Sequence, residues 1–164
     1  MLHLLAFGFA VALSTVSPAL AACSDTPAPG VDFRRCLLDG ADLTSADLTD
    51  SVLRDTSFQR STMMDAKLVR ADAVNARFVS ADLSRADLTD IRLRDADLSR
   101  ANLTGATLRN ADLRRARLWN AQLVRADLTG AVLGVTDLTG ADLSGATWTD
   151  GTRICGEGSI GRCH

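Results

Sequence analysis

"ADLTDIRLRDADLSRANLTGATLRNADLRRARL", residues 86–118, places Leu at every fifth position and, two residues before each, Ala or Ile91. A period of five belongs to neither regular element. On an α-helix a step of five turns through roughly 500°, so successive leucines scatter around the axis instead of forming a stripe. On a strand the same step sends successive leucines to opposite faces. The leucines share one side only if the chain turns a corner once per block and winds into a coil, with the first and third positions of each block inward.

Outward from this stretch the register holds from Val31 to Asp150, twenty-four blocks of five without an insertion. The third position is Leu except for Phe33, Phe58, Met63, Ala73, Phe78 and Trp148. The first is Ala except for Val31, Cys36, Ser51, Thr56, Ser61, Ile91 and Thr136. Internal repetition of this strength takes precedence over propensity reading and predicts a solenoid with a Leu and Ala core.

The blocks "ADLTS", "ADLSR", "ANLTG" and "ADLTG" resemble the pentapeptide-repeat family, whose motif is A(D/N)LXX, and the resemblance covers residues 31–150. It implies an all-β fold, a right-handed quadrilateral β-helix of four blocks per coil and about six coils. The sequence echoes that geometry: VDFRR, SVLRD, IRLRD and ADLRR begin at residues 31, 51, 91 and 111, offsets that are multiples of twenty. Coils stacked about 4.8 Å apart make a core about 29 Å long, and each inward Leu contributes about 1.5–3 kcal/mol by burial.

The ends read differently. Residues 1–21 of "MLHLLAFGFAVALSTVSPALAAC" resemble a secretory signal peptide: the apolar run from Leu4 to Leu13 is too short to span a bilayer, and Ala19-Leu20-Ala21 is a small-x-small cleavage site. The pattern departs from the rule in having no Lys or Arg before the run, only the amino terminus and His3. The expected organisation is a signal over 1–21, an N-terminal capping segment over 22–36, the β-helix over 31–150 and a C-terminal disulfide cap over 151–164, in an exported protein of the periplasm or the exterior.

Two readings of Cys23 stand side by side. "LAAC", Leu20 to Cys23, is similar to a lipobox, which would make Cys23 a lipidated anchor in the envelope. Against it, the four cysteines Cys23, Cys36, Cys155 and Cys163 flank the solenoid in two pairs, and an even set in an exported chain favours disulfides. Four cysteines allow three pairings. The local ones, Cys23 with Cys36 and Cys155 with Cys163, would pin a loop over each open end, where exposed edges invite aggregation. Both end segments resemble those of other exported members of the family.

Little in the chain suggests catalysis. The only histidines are His3 and His164, so the solenoid has no imidazole base, and the cysteine spacing suits no zinc knuckle. "GEGSIG" is similar to a phosphate loop but lacks GK[ST] and the strand-to-helix setting; a cap turn is the simpler reading. Asp42, Asp47, Asp82, Asp87, Asp97, Asp112, Asp127, Asp137 and Asp142 recur at the second position as part of the repeat, and the sequon at Asn102 falls in the wall. No enzyme activity, cofactor or metal is expected.

Surface patterning remains. A net charge of −2 on 164 residues signals neither nucleic acid nor a membrane surface. Numbering four faces by the blocks that begin at 31, 36, 41 and 46, the first stacks Arg34, Arg54, Arg94 and Arg114 in one fourth-position column. With Arg35, Arg92 and Arg115 it sets seven Arg against five Asp. The fourth face sets Lys67, Arg70 and Arg109 against six Asp. The Arg column is a candidate face for a partner protein or a polyanion, though arginines alternating with aspartates also solvate a wall and pair across coils. Trp119, expected beside Arg117 and Arg94, is the best contact anchor. Met64, Val69, Val74 and Val79 fall one per face, a belt rather than a patch. The expected function is an exported non-catalytic binding or structural module. The family supplies a rival, the DNA-mimic proteins that bind DNA gyrase, which need cytoplasmic exposure and a strongly acidic face.

Overall fold

The computed structural model describes residues 22–164; the expected signal segment, with its apolar run and cleavage site, lies outside the described residues. From Asp32 to Thr147 the second-position residues form parallel bridges to the residue twenty ahead, beginning with Asp32 to Val52 and ending with Asp127 to Thr147. Each block makes three rungs to its neighbours. The Phe33 N–H donates to the Val52 carbonyl at 2.9 Å, the Val52 N–H to the Val31 carbonyl at 2.9 Å, and the Arg35 N–H to the Arg54 carbonyl at 2.9 Å. Among the described residues no strand extends beyond a single bridge residue, because every block must also turn.

The turn sits at the third to fifth positions and closes when the next block's first N–H bonds back, as Cys36 to the Phe33 carbonyl at 3.0 Å. Its third residue, the fifth of the block, has positive φ, from 61° at Arg35 to 56° at Arg125, as a type II turn requires. Asp, Asn, Ser and Arg all accept the left-handed conformation here. It costs L-residues something at each corner, and the rungs on either side hold it.

Second-position carboxylates serve the same turn. Asp82 accepts the Ser84 N–H at 3.0 Å, Asp97 the Ser99 N–H at 3.0 Å, and Asn102 the Thr104 N–H at 3.1 Å. These Asx contacts engage a wall N–H that the rungs leave free. First- and third-position side chains fill the core, which is fully buried through the middle of the rod. Phe58 and Phe78 stack with centroids 5.1 Å apart, and Ala73, in the column of the first face, is buried as well.

One block departs from the rule. In "AVLGV", residues 131–135, the positive φ of +53° falls on Gly134 at the fourth position rather than on Val135, because a β-branched residue is a poor occupant of the left-handed region. The cost is a rung. Every other fifth-position N–H from Gly30 to Gly130 donates to the carbonyl nineteen residues ahead, whereas none runs from Arg115 to residue 134.

The ends are closed by different means. A short 3₁₀ turn, Ala22–Ser24, is tied to the first coil by Cys23–Cys36, with Cα atoms 5.4 Å apart. At the other end the chain returns antiparallel through the bridges Thr147 to Ile154 and Asp142 to Ile160, and Cys155–Cys163 closes the return. This cap lies over the blocks at 141–150, with Gly161 against the backbone of Leu138 and Gly140, and leaves the block at 131–135 open, Val135 being 83% exposed.

Candidate binding faces

The four arginines of the expected anion column are all engaged. Arg34 pairs with Asp32 at 2.6 Å, Arg54 with Asp72 at 3.2 Å, Arg94 with Asp112 at 3.4 Å and Arg114 with Asp112 at 2.7 Å. Arg92 and Arg115 on the same face hold Asp72 and Asp95. The hydrogen bond from Arg114 keeps the Asp112 carboxyl below the usual range, and Arg34 does the same for Asp32. Each exposed pair adds little stability. Together they tie six of the face's seven arginines to four of its aspartates, and an anionic ligand there must first displace aspartates. Asp72, shared by two arginines, has the one buried side-chain oxygen without a partner among the described residues, its Oδ1.

A pairing rule emerges from the fifth-position columns. Arg70 holds Asp50 at 2.7 Å, Arg85 holds Asp65 at 2.7 Å and Arg115 holds Asp95 at 2.6 Å, each Asp standing twenty residues before its Arg. The second face breaks this rule. Its fifth-position column reads Gly40, Arg60, Ser80, Arg100, Asn120, Gly140, with no acid in it. Among the described residues, Arg60 and Arg100 therefore have no carboxylate at salt-bridge distance, and neither has Arg77 in the second-position column of that face. The other unpaired cations, Arg35, Lys67, Arg125 and Arg162, are scattered one to each remaining face and the cap.

Trp119 lies on this second face, 42% exposed. Its neighbour is Arg100, whose Cζ stands 5.7 Å from the ring centroid, rather than the expected Arg94 and Arg117. Arg94 turns to Asp112, and Arg117 reaches Asp97 at 3.6 Å. Arg100 wins because its N–H donates to the Trp119 carbonyl at 2.8 Å, setting the two residues side by side in adjacent coils.

The remaining candidates are occupied structurally. Asp42 and Asp142 sit below the usual carboxylate range through hydrogen bonds from Thr44 and Ser144, which is turn chemistry. In "GEGSIG" the Gly156 N–H donates to the His164 carbonyl at 2.7 Å and the Gly158 N–H to Ser144 Oγ at 3.0 Å, so these donors serve the cap. Asn102 also donates to Asp82 at 3.1 Å. Met64, Val69, Val74 and Val79 are half-buried in the wall. Cys23 Sγ, the atom a lipid thioether needs, is bonded to Cys36, so at that atom the anchor and the disulfide exclude one another.

The family model for pentapeptide repeats matches in eight copies, over residues 30–63, 56–95, 81–120, 91–130 and 120–147. No curated protein matches the chain. Among solved structures it is similar to HetL, a pentapeptide repeat protein involved in heterocyst differentiation regulation from the cyanobacterium Nostoc sp. strain PCC 7120, at 30% identity over 75% of this chain and 68% of that one, with a TM-score of 0.45. It is also similar to Rfr23 from the cyanobacterium Cyanothece 51142, at 29% identity over 71% of this chain and 90% of that one, TM-score 0.34. A third likeness is to QnrB1, a plasmid-mediated fluoroquinolone resistance protein, at 20% identity over 71% and 70% of the two chains, TM-score 0.32.

Proposed function

This chain belongs to the pentapeptide-repeat family, and from that premise we propose that it is an exported, disulfide-capped, right-handed β-helical rod of six coils that works as a non-catalytic binding module. The observation that carries the reading is the pair of disulfides, Cys23–Cys36 at one end and Cys155–Cys163 at the other, with no free cysteine among the described residues. Such bonds persist in oxidising compartments and are kept reduced in the cytosol of most organisms. A fold of this kind offers walls rather than a cleft, and its ligand is read from the side chains of those walls.

Intact mass of the protein recovered from its native host, before and after reduction and alkylation, tests the proposal. The expected species is residues 22–164 lacking the four thiol hydrogens, alkylated at four cysteines only after reduction. A full-length chain with four free thiols would overturn export. A diacylglycerol on Cys23 would replace the soluble module with an envelope-anchored one.

A further inference from the structure

Among the described residues, the second face is the one wall on which several arginines in a line lack a salt bridge. Asp39 is near enough to interact with Arg60 and Arg77, and Asp97 lies beside Arg77 in the next coil. Arg60, Arg77 and Arg100 occupy three successive coils, and Trp119 follows in the next. With coils about 4.8 Å apart, Arg60 and Arg100 in their shared column are separated by about 9.6 Å along the rod, with Arg77 between them on the other side of the wall. Three aspartates share the face. Asp39 accepts from Ser57 and from the Gln59 N–H, Asp97 from the Ser99 N–H, and Asp137 from the Thr139 N–H. They keep the local charge low, so the face suits a sparsely charged polymer and not a dense one.

We propose that this face binds a linear acidic polysaccharide lying along the rod, with successive carboxylates on Arg60 and Arg100, Arg77 between them adding positive charge to the path, and a sugar ring against Trp119. Arg100 stands within cation–π range of the indole, its Cζ 5.7 Å from the ring centroid, and has no carboxylate of its own at salt-bridge distance. A half-exposed indole offers an apolar surface to the C–H face of a pyranose. A polymer with one acidic group per sugar pair repeats on the scale of two coils. An acidic peptide fits less well, because most of the wall's own N–H and C=O groups are taken up by the rungs and turns, leaving a peptide backbone few partners for the groups it would desolvate.

The inference rests on the export reading, which makes glycans accessible, but its test is independent of compartment. The disulfide-bonded protein, carrying Trp148→Phe so that Trp119 reports alone, is titrated with hyaluronate oligosaccharides by fluorescence and calorimetry. Neutral dextran, poly-glutamate and duplex DNA serve as comparisons. Hyaluronate is expected to bind and to change the emission, and dextran to do neither. Arg60→Ser/Arg77→Ser/Arg100→Ser is expected to weaken binding about tenfold. Ser already occurs in both columns, at Ser80 and Ser57, so this variant respects the repeat.

Gly40→Asp/Ser80→Asp keeps every arginine but places an acid one coil before Arg60 and Arg100, as in the other columns, and is expected to weaken binding similarly. Arg34→Ser/Arg54→Ser/Arg94→Ser/Arg114→Ser is expected to retain it. Absence of hyaluronate binding, equal or tighter binding of poly-glutamate or DNA, or an equal loss in Arg34→Ser/Arg54→Ser/Arg94→Ser/Arg114→Ser would each overturn the inference. Binding lost with the expected mass overturns this inference alone; binding kept with four free thiols overturns the compartment alone.

Discussion

Replacing Gly134 by Thr and Val135 by Gly together converts "AVLGV" into a block that obeys the repeat. The structure gives opposite signs for the parts and the whole. Gly134→Thr alone puts a β-branched residue at φ +53°, with its Cβ 3.0 Å from Arg114 Cγ; left-handed geometry costs such a residue at least about 1–2 kcal/mol. Val135→Gly alone removes an exposed side chain and adds freedom to the unfolded chain, a loss of about 0.5–1 kcal/mol. In the double variant the new glycine takes the positive φ at the fifth position, the new threonine returns to ordinary backbone at the fourth, and the missing rung from Arg115 can form, worth about 0.5–1.5 kcal/mol. The double variant should therefore be about 1 kcal/mol more stable than the parent, or about 2–4 °C in Tm, although each single change destabilises. Guanidinium melts of the disulfide-bonded proteins give the coupling, and hydrogen exchange at the Arg115 N–H reports the rung directly. Additive losses, or an Arg115 amide that exchanges no more slowly in the double variant, would refute the account of this block.

Other consequences follow from the core, the cap and the carboxylates. Phe78→Ala removes one ring of the Phe58 stack from a fully buried site and should cost about 3–5 kcal/mol by calorimetry; a cost under about 1 kcal/mol would mean the coils close over the gap. Cys155→Ser/Cys163→Ser frees a return whose cysteines are 8 apart in sequence, a loss of about 2–3 kcal/mol. It should also promote self-association in size-exclusion runs by uncovering the blocks at 141–150; an unchanged melt and a monomeric profile would deny the cap its role. The carboxyls of Asp42, Asp47, Asp137 and Asp142 are lowered by hydrogen bonds from Thr and Ser two residues on. Their folded pKa lies below the unfolded one, so their contribution is complete above the usual carboxylate range and is lost as pH falls below about 4. Tm should be level from about pH 5 to 8 and drop below pH 4, and a Tm that rises on acidification contradicts this turn chemistry.

The five-residue period was enough to place the core, because burial of Leu and Ala tolerates only one register. The twenty-residue offset was also legible in recurring blocks such as SVLRD and IRLRD. The binding face was harder. Summing charge by face made the first wall prominent, yet a sum cannot say which arginine has an acid one coil below it. That information was in the sequence, as Asp50 before Arg70 or Asp65 before Arg85, but only the stacked columns give the twenty-residue pair its meaning. The neighbour of Trp119 was misread because residues from adjacent coils, Arg100 and Trp119, meet across a rung. The partly covered C-terminal end was not legible, since nothing in "DGTRICGEGSIGRC" says that the chain returns antiparallel over two faces and not four.

The quarter turn made by each block gives this architecture two separate kinds of length change. Loss or gain of twenty residues shortens or lengthens the rod by one coil, about 4.8 Å, and leaves every wall as it was. Loss of a single block, such as residues 81–85, also keeps every Leu and Ala inward, so the fold survives, but all walls downstream rotate by one. Arg100 and Trp119 would then pass to the first face while Arg60 and Arg77 stayed on the second. A chain of this kind can reassort its surfaces as a combination lock does, one click at a time, without disturbing its interior.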